Sequence, residues 1–136
     1  PSHEVWDALP DLIDAALRDL LLHTGAELTL DYTHGVPPVV NDPGLIATVE
    51  AAAKGELSEE AITPAIQSWG GDDFAWFGRH CAAAYIRLGV HDPASNGPRL
   101  DLHAGHFDVD ERAIAVGVRL LTSVARTYFG TAAHRS

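Results

Sequence analysis

Apolar positions along the chain recur in distinct patterns, and each pattern predicts an element. Over residues 7–23, Leu9, Ile13, Ala16, Leu17, Leu20 and Leu21 fall at helical spacing, with Asp11, Asp14, Arg18 and Asp19 on the other side. This predicts an amphipathic helix. Pro10 is expected in its first turn, where a missing N–H costs little, and Gly25 is expected to stop it. Residues 26–32 alternate instead, with Leu28, Leu30 and Tyr32 against Glu27, Thr29 and Asp31, as in a half-exposed antiparallel strand. Gly35, Pro37 and Pro38 break regular structure in residues 33–41, which read as a crossing between domains.

A second helix is predicted with Asn41 or Asp42 as its cap and Pro43 at its first position. It carries Leu45, Ile46, Val49, Ala52 and Ala53, and Gly55 should end it. A turn at 58–61 leads to a short strand at 62–67. In Ser68-Trp69-Gly70-Gly71-Asp72-Asp73-Phe74, two glycines allow close backbone approach or a positive φ. Asp72 or Asp73 should cap a short helix ending near His80. Residues 81–90 are apolar apart from Arg87, the signature of a central strand covered on both faces. After a loop at 91–99, the last helix is predicted with Asp108 as cap and Glu111 in the capping-box position. Ile114, Val118, Leu121, Ala125 and Tyr128 form its apolar face, widened by Val116, Leu120 and Val124; Gly130 should end it, leaving 131–136 as a frayed tail. Helix and strand alternate through the middle, so the fold class predicted is α/β, a layered sheet.

Composition narrows the function. The 136 residues carry a formal charge of −10 with basic residues scattered, which argues against nucleic acid and against an anionic membrane surface. No apolar run approaches the roughly 18 residues of a membrane-spanning helix. Residues 1–7 carry neither a basic nor an apolar run, so no leader is expected there and a cytoplasmic setting is. The absence of any methionine suits a chain cut out of something longer. Cys81, the single cysteine, excludes an internal disulfide and lies in an apolar run, where a buried, inert thiol is expected.

Residues 100–111 read Leu-Asp-Leu-His-Ala-Gly-His-Phe-Asp-Val-Asp-Glu, a histidine at the end of an apolar segment followed by an acidic opening of the last helix. On chemistry alone His103 is an ordinary loop histidine, since a catalytic zinc takes about three protein ligands. The pattern nevertheless resembles the C-terminal metal-ligand segment of the hippurate hydrolase and aminoacylase-like di-metal amidohydrolases, with Ala104 and Gly105 where that family usually has a small polar residue and a proline. Gly70-Gly71-Asp72-Asp73-Phe74 is similar to the family's G-G-E-D-F loop near its active-site mouth, with Asp72 in place of glutamate. Leu30-Asp31-Tyr32 through Gly35, Pro37, Pro38, Asn41 and Asp42 resembles the return from the small lid domain into the catalytic domain.

The resemblance runs from about residue 7 to residue 130. It implies residues 1–34 as the end of a lid or dimerisation domain, and residues 35–136 as the C-terminal half of a zinc-peptidase-like catalytic domain. It implies hydrolysis of N-acyl or N-aroyl amino acids, or related small amides, by metal-activated water, with two divalent ions (zinc or manganese) in the intact site. His103 would be a metal ligand, and Gly70, Gly71 and Asp73 would shape the substrate pocket. Trp69 and Phe74 read as core. The family's H-x-C-G-H-D motif, paired glutamates and further histidine ligand are not in this sequence. No catalytic residue is therefore expected in this chain, which alone should be inactive and should pair with the remaining N-terminal portion or form a homodimer in the parent. The alternative is a non-catalytic α/β module whose unpaired strand at 26–32 serves association.

Overall fold

Ser2 starts the first helix earlier than the apolar spacing suggests. Its extended backbone (φ −93°, ψ 166°) lets the hydroxyl oxygen accept the Val5 N–H at 3.3 Å, and α1 spans His3–Leu21. In this computed structural model the described residues are 2–92, 94–95 and 97–132. The remaining elements are α2 (Pro43–Glu56), α3 (Arg112–Ala132) and two 3₁₀ segments, Glu59–Ala61 and Asp73–Arg79. They belong to two compact units, residues 2–42 with 67–85, and residues 43–66 with 86–132. No helix among the described residues is long and apolar enough to cross a membrane.

In the first unit, the early start puts Pro10 inside α1 rather than in its first turn. Proline has no N–H for the carbonyl four residues back, here that of Trp6. The His34 ring supplies the replacement, its Nε2 lying 2.9 Å from the Trp6 carbonyl oxygen. A carbonyl only accepts, so this nitrogen carries the proton. The imidazole also stacks on the Trp6 indole at 3.5 Å and 18°. Trp76 meets the same indole edge-on at 5.9 Å, and the Arg79 guanidinium lies over it at 5.6 Å while bonding Asp7 at 2.8 Å. Beyond Leu21, the Thr24 N–H and hydroxyl both reach the Leu21 carbonyl, and Gly25 takes φ +69°, the stop its position predicts.

Asn41 does not cap α2. Its side-chain amide brackets the backbone of Tyr85, accepting the Tyr85 N–H at 2.7 Å and donating to the Tyr85 carbonyl at 3.1 Å. The Asp42 N–H adds a bond to the Ala83 carbonyl at 2.8 Å. A side chain thus performs what a neighbouring strand would do for one residue.

In the second unit α2 packs against α3, burying Ala52 and Ala53 on one side and Ala113 and Leu120 on the other. A Cβ at Gly117 would sit 3.2 Å from the Leu88 side chain, so the glycine admits close packing. Asp110, not Asp108, serves the start of α3: its carboxylate accepts the Arg112 N–H at 3.0 Å and its carbonyl the Ala113 N–H at 2.9 Å. Asp108 spends its carboxylate on the neighbouring Val109 N–H. The helix therefore opens at Arg112, past the capping-box register expected for Glu111. Neither Gly55 nor Gly130 ends its helix; each sits in a last turn whose bonds continue past it. Of the expected tail, residues 131 and 132 are helical and 133–136 lie outside the described residues.

Two larger expectations are not fully met among the described residues. No strand forms among the described residues, so residues 26–32, 62–67 and 81–90 lack the ladders the α/β pattern called for. Apolar alternation selects an extended chain, but a strand exists only when a second segment supplies the complementary N–H and C=O groups. Residues 81–90 are correspondingly open: Ala83 is buried, but Tyr85, Ile86 and Leu88 stay more than a third exposed, and Cys81 is exposed rather than buried. On α3 the widening positions Val116, Leu120 and Val124 are the part of the expected apolar face that packs, and its central row is not. Ile114, Val118 and Leu121 are 61–63% exposed, and the row through Ala113 and Leu120 packs instead.

If His34 replaces the amide that Pro10 lacks, His34→Ala should cost about 1 kcal/mol, the scale of a lost hydrogen bond and ring contact. The cost should shrink in a Pro10→Ala background, where the helix bond to the Trp6 carbonyl returns. Urea unfolding of the two single variants and the double variant measures the coupling. Equal costs in both backgrounds would contradict it.

Candidate functional site

The glycine loop is built by its polar neighbours. Ser68 Oγ accepts the Gly70 N–H at 3.1 Å, closing a tight turn under Trp69. Asp72 then uses both carboxylate oxygens: one accepts the Phe74 N–H at 2.8 Å and caps the 3₁₀ segment, the other accepts the Tyr85 hydroxyl at 2.9 Å. Asp72 is thereby the cap that the sequence left undecided between it and Asp73. Asp73, the first residue of that segment, stays exposed. Gly71 has a packing reason for being glycine, since a Cβ there would lie 2.5 Å from Val36 Cγ2. At Gly70 the nearest atom would be the Ser68 hydroxyl at 3.3 Å, a neighbour that can yield.

Trp69 is not core. It is 86% exposed, whereas Phe74 is half-buried between Phe77 and Tyr85, with ring centroids at 5.6 and 5.3 Å. The turn chemistry explains the difference: Ser68 and the two glycines point no apolar neighbour at the indole.

The second stretch, residues 100–111, lies in the second unit. Two successive turns shape it, from the Ala104 N–H to the Asp101 carbonyl (2.9 Å) and from the Phe107 N–H to the Ala104 carbonyl (3.0 Å). Asp101 also accepts the His103 N–H on its carboxylate at 2.8 Å, fixing the backbone of His103 and leaving its side chain exposed. Among the described residues the His103 ring has no hydrogen-bond partner, and no group of three or more His, Cys, Asp or Glu side chains is placed to hold a metal. His103 therefore fits a single donor presented outward, not a site complete in itself.

In the same unit, Val90, His91, Leu100, Phe107 and Asp108 line a cavity of about 360 Å³ that His103 does not line. The Arg112 guanidinium ties its walls together, bonding Asp92 at 2.7 Å and Asp110 at 2.8–2.9 Å. These bonds hold the Asp110 carboxyl below the usual carboxylate range, through the hydrogen bonds from the Arg112 side chain and N–H, and push the Arg112 pKa up. Asp7 in the first unit is lowered in the same way by its bond from Arg79. The sequence reading missed Asn41, Ser68 and Arg112 as organisers. Ser68 had a local signal, a serine two residues before a glycine; Asn41's partner Tyr85 and Arg112's second partner Asp92 lie 44 and 20 residues away and leave no local trace.

The family model for peptidase family M20/M25/M40 matches residues 7–127. A putative glutamate–cysteine ligase 2-3 of Rhodococcus jostii is 40% identical over 92% of this chain, which covers 16% of that protein. A probable hydrolase of Synechocystis is 34% identical over 93% of the chain, and a putative amidohydrolase of Bacillus subtilis 26% identical over 93%; the chain covers 32% of each. It thus spans a third or less of these relatives. No solved structure matches it.

Two outcomes follow from the site's geometry. Gly71→Ala should lower the melting temperature through the clash with Val36, and Val36→Ala should restore much of the loss, while Gly70→Ala should be tolerated; equal damage at both glycines would contradict this. The second concerns acid. Pairing lowers the folded-state pKa of Asp110, so its stabilisation is complete above the unfolded carboxylate pKa of about 4 and is lost as pH falls through the lowered folded value. Thermal melts from about pH 6 downward should show Asp110→Asn losing less stability to acid than the parent; parallel curves would contradict it.

Proposed function

We propose, because the chain belongs to peptidase family M20/M25/M40, that it is the C-terminal part of a metal-dependent hydrolase acting on the amide bond of N-acyl or N-aroyl amino acids. The match over residues 7–127 carries this reading. The amidohydrolase and hydrolase names of the Bacillus and Synechocystis relatives support it at the level of reaction class. The ligase name belongs to a protein of which this stretch is a minor part, so it is not carried over.

In this reading His103 is one ligand of a two-metal site whose other ligands and general base come from the rest of the protein. The turn at 101–104 sets its backbone and the exposed ring presents its nitrogens outward. His103 would there contribute one nitrogen to holding a divalent ion, whose chemistry when bound would be carbonyl polarisation and activation of water near neutral pH. Gly70, Gly71 and Asp73 belong to the substrate side of the site, with Asp72 and Ser68 fixing their loop. Residues 26–32, 62–67 and 81–90 are strands of a layered α/β catalytic domain and its lid once the remaining protein supplies their partners. The exposed row on α3 is then a packing face. That same row also suits a non-catalytic association module, which differs in being unable to turn over any amide.

The test is His103→Ala in the full-length protein, read by elemental metal content and by hydrolysis of an N-acyl amino acid. Loss of about one metal per site with a fall in rate of at least a hundredfold is expected. Full metal content with wild-type activity would remove His103 from the site.

A further inference from the structure

We propose that Trp69 is the side chain with which the 68–74 loop meets the substrate, stacking on the flat acyl group of an N-aroyl amino acid; this rests on the amide-hydrolase reading above. The three tryptophans are treated differently by the fold. Trp6 and Trp76 lie edge to face at 5.9 Å, and Trp6 also stacks on His34. Trp69 is 86% exposed and has no ring partner among the described residues. An indole is among the largest apolar bodies a chain can bury, so leaving one in water forgoes a substantial stabilisation.

Nor is Trp69 a side chain on a loose loop. Ser68 Oγ closes the turn beneath it at 3.1 Å, Gly71 is seated against Val36 closely enough to exclude a Cβ, and Asp72 is held at both oxygens by Phe74 and Tyr85. The indole is consequently offered from a fixed backbone, which lowers the ordering cost of a stacking contact.

The surroundings select the partner. Trp69 is flanked by Ser68, Gly70, Gly71, Asp72 and Asp73, none of which adds an apolar side chain. The row on α3, by contrast, presents Ile114, Val118 and Leu121 together as a packing face. Within residues 68–73 the indole is the one large apolar side chain, and it offers a flat surface of about one ring's area. That matches a planar aroyl group better than a protein surface, because small-molecule sites combine an apolar wall with a few polar groups.

The experiment compares N-benzoyl and N-acetyl derivatives of one amino acid as substrates of the full-length protein, for the wild type, Trp69→Ala and Trp69→Phe. In Trp69→Ala the ratio of kcat/KM for benzoyl over acetyl should fall about three- to tenfold, mainly through KM, the scale of one aromatic stacking contact. Trp69→Phe should recover most of the ratio, and the melting temperature should be retained. An unchanged ratio, or equal losses on both substrates with a lowered melting temperature, overturns the proposal and leaves the hydrolase reading standing. Failure of the wild type to hydrolyse either compound overturns the hydrolase reading and this proposal with it.

Discussion

The bracket that the Asn41 amide forms on the Tyr85 backbone is the interaction from which the first unit follows. It anchors residues 83–85, with the Asp42 N–H bond to Ala83 beside it. Tyr85 so placed puts its hydroxyl on Asp72, and Asp72 in turn caps Asp73–Arg79. That segment carries Trp76 and Arg79 to the Trp6 indole and the Asp7 carboxylate. One side-chain amide, able to donate and accept at once, thereby links the glycine loop to α1. Substituting a residue that offers only one of those two roles would remove one of the two Asn41 bonds to the Tyr85 backbone.

The same need for partners marks the rest of the chain. Residues 26–32, 62–67 and 81–90 have the composition of strands and form none among the described residues. α3 is apolar on two sides and packs one of them. Extended backbone and exposed apolar rows are costly unless something completes them. Relatives of which this chain covers a third or less are consistent with that completion coming from further protein. The function proposed here depends on it, because a single outward histidine is a fragment of a metal site and no more.

How much was legible in the sequence divides along physical lines. The three long helices, Pro43 at the start of α2, the Gly25 stop and the capping of the glycine loop at Asp72 or Asp73 depend on residues a few positions apart, and they were readable. The start of α1 at Ser2 was missed because the apolar stripe begins later than the cap. Asp108 reads as the cap because an acid three residues before Glu111 gives the capping-box signal, whereas the bonds from Arg112 to Asp110 are what set the start of the helix. The strands do not form among the described residues because pairing is a property of two segments, and periodicity reports on one. Trp69 was assigned to the core because its size favours burial; the serine–glycine turn that exposes it acts through geometry rather than hydrophobicity. The family, by contrast, was visible in the ordered set from Leu30 to Glu111, since each motif is short and local.

Amide hydrogen exchange in the full-length protein tests most directly whether this stretch is a piece of a larger layered domain. The account predicts slow exchange along residues 82–90 and 26–32, with protection alternating or continuous as ladder bonds require, because partners from the remaining protein close on them. Rapid exchange throughout both segments, in a protein otherwise folded, would contradict it.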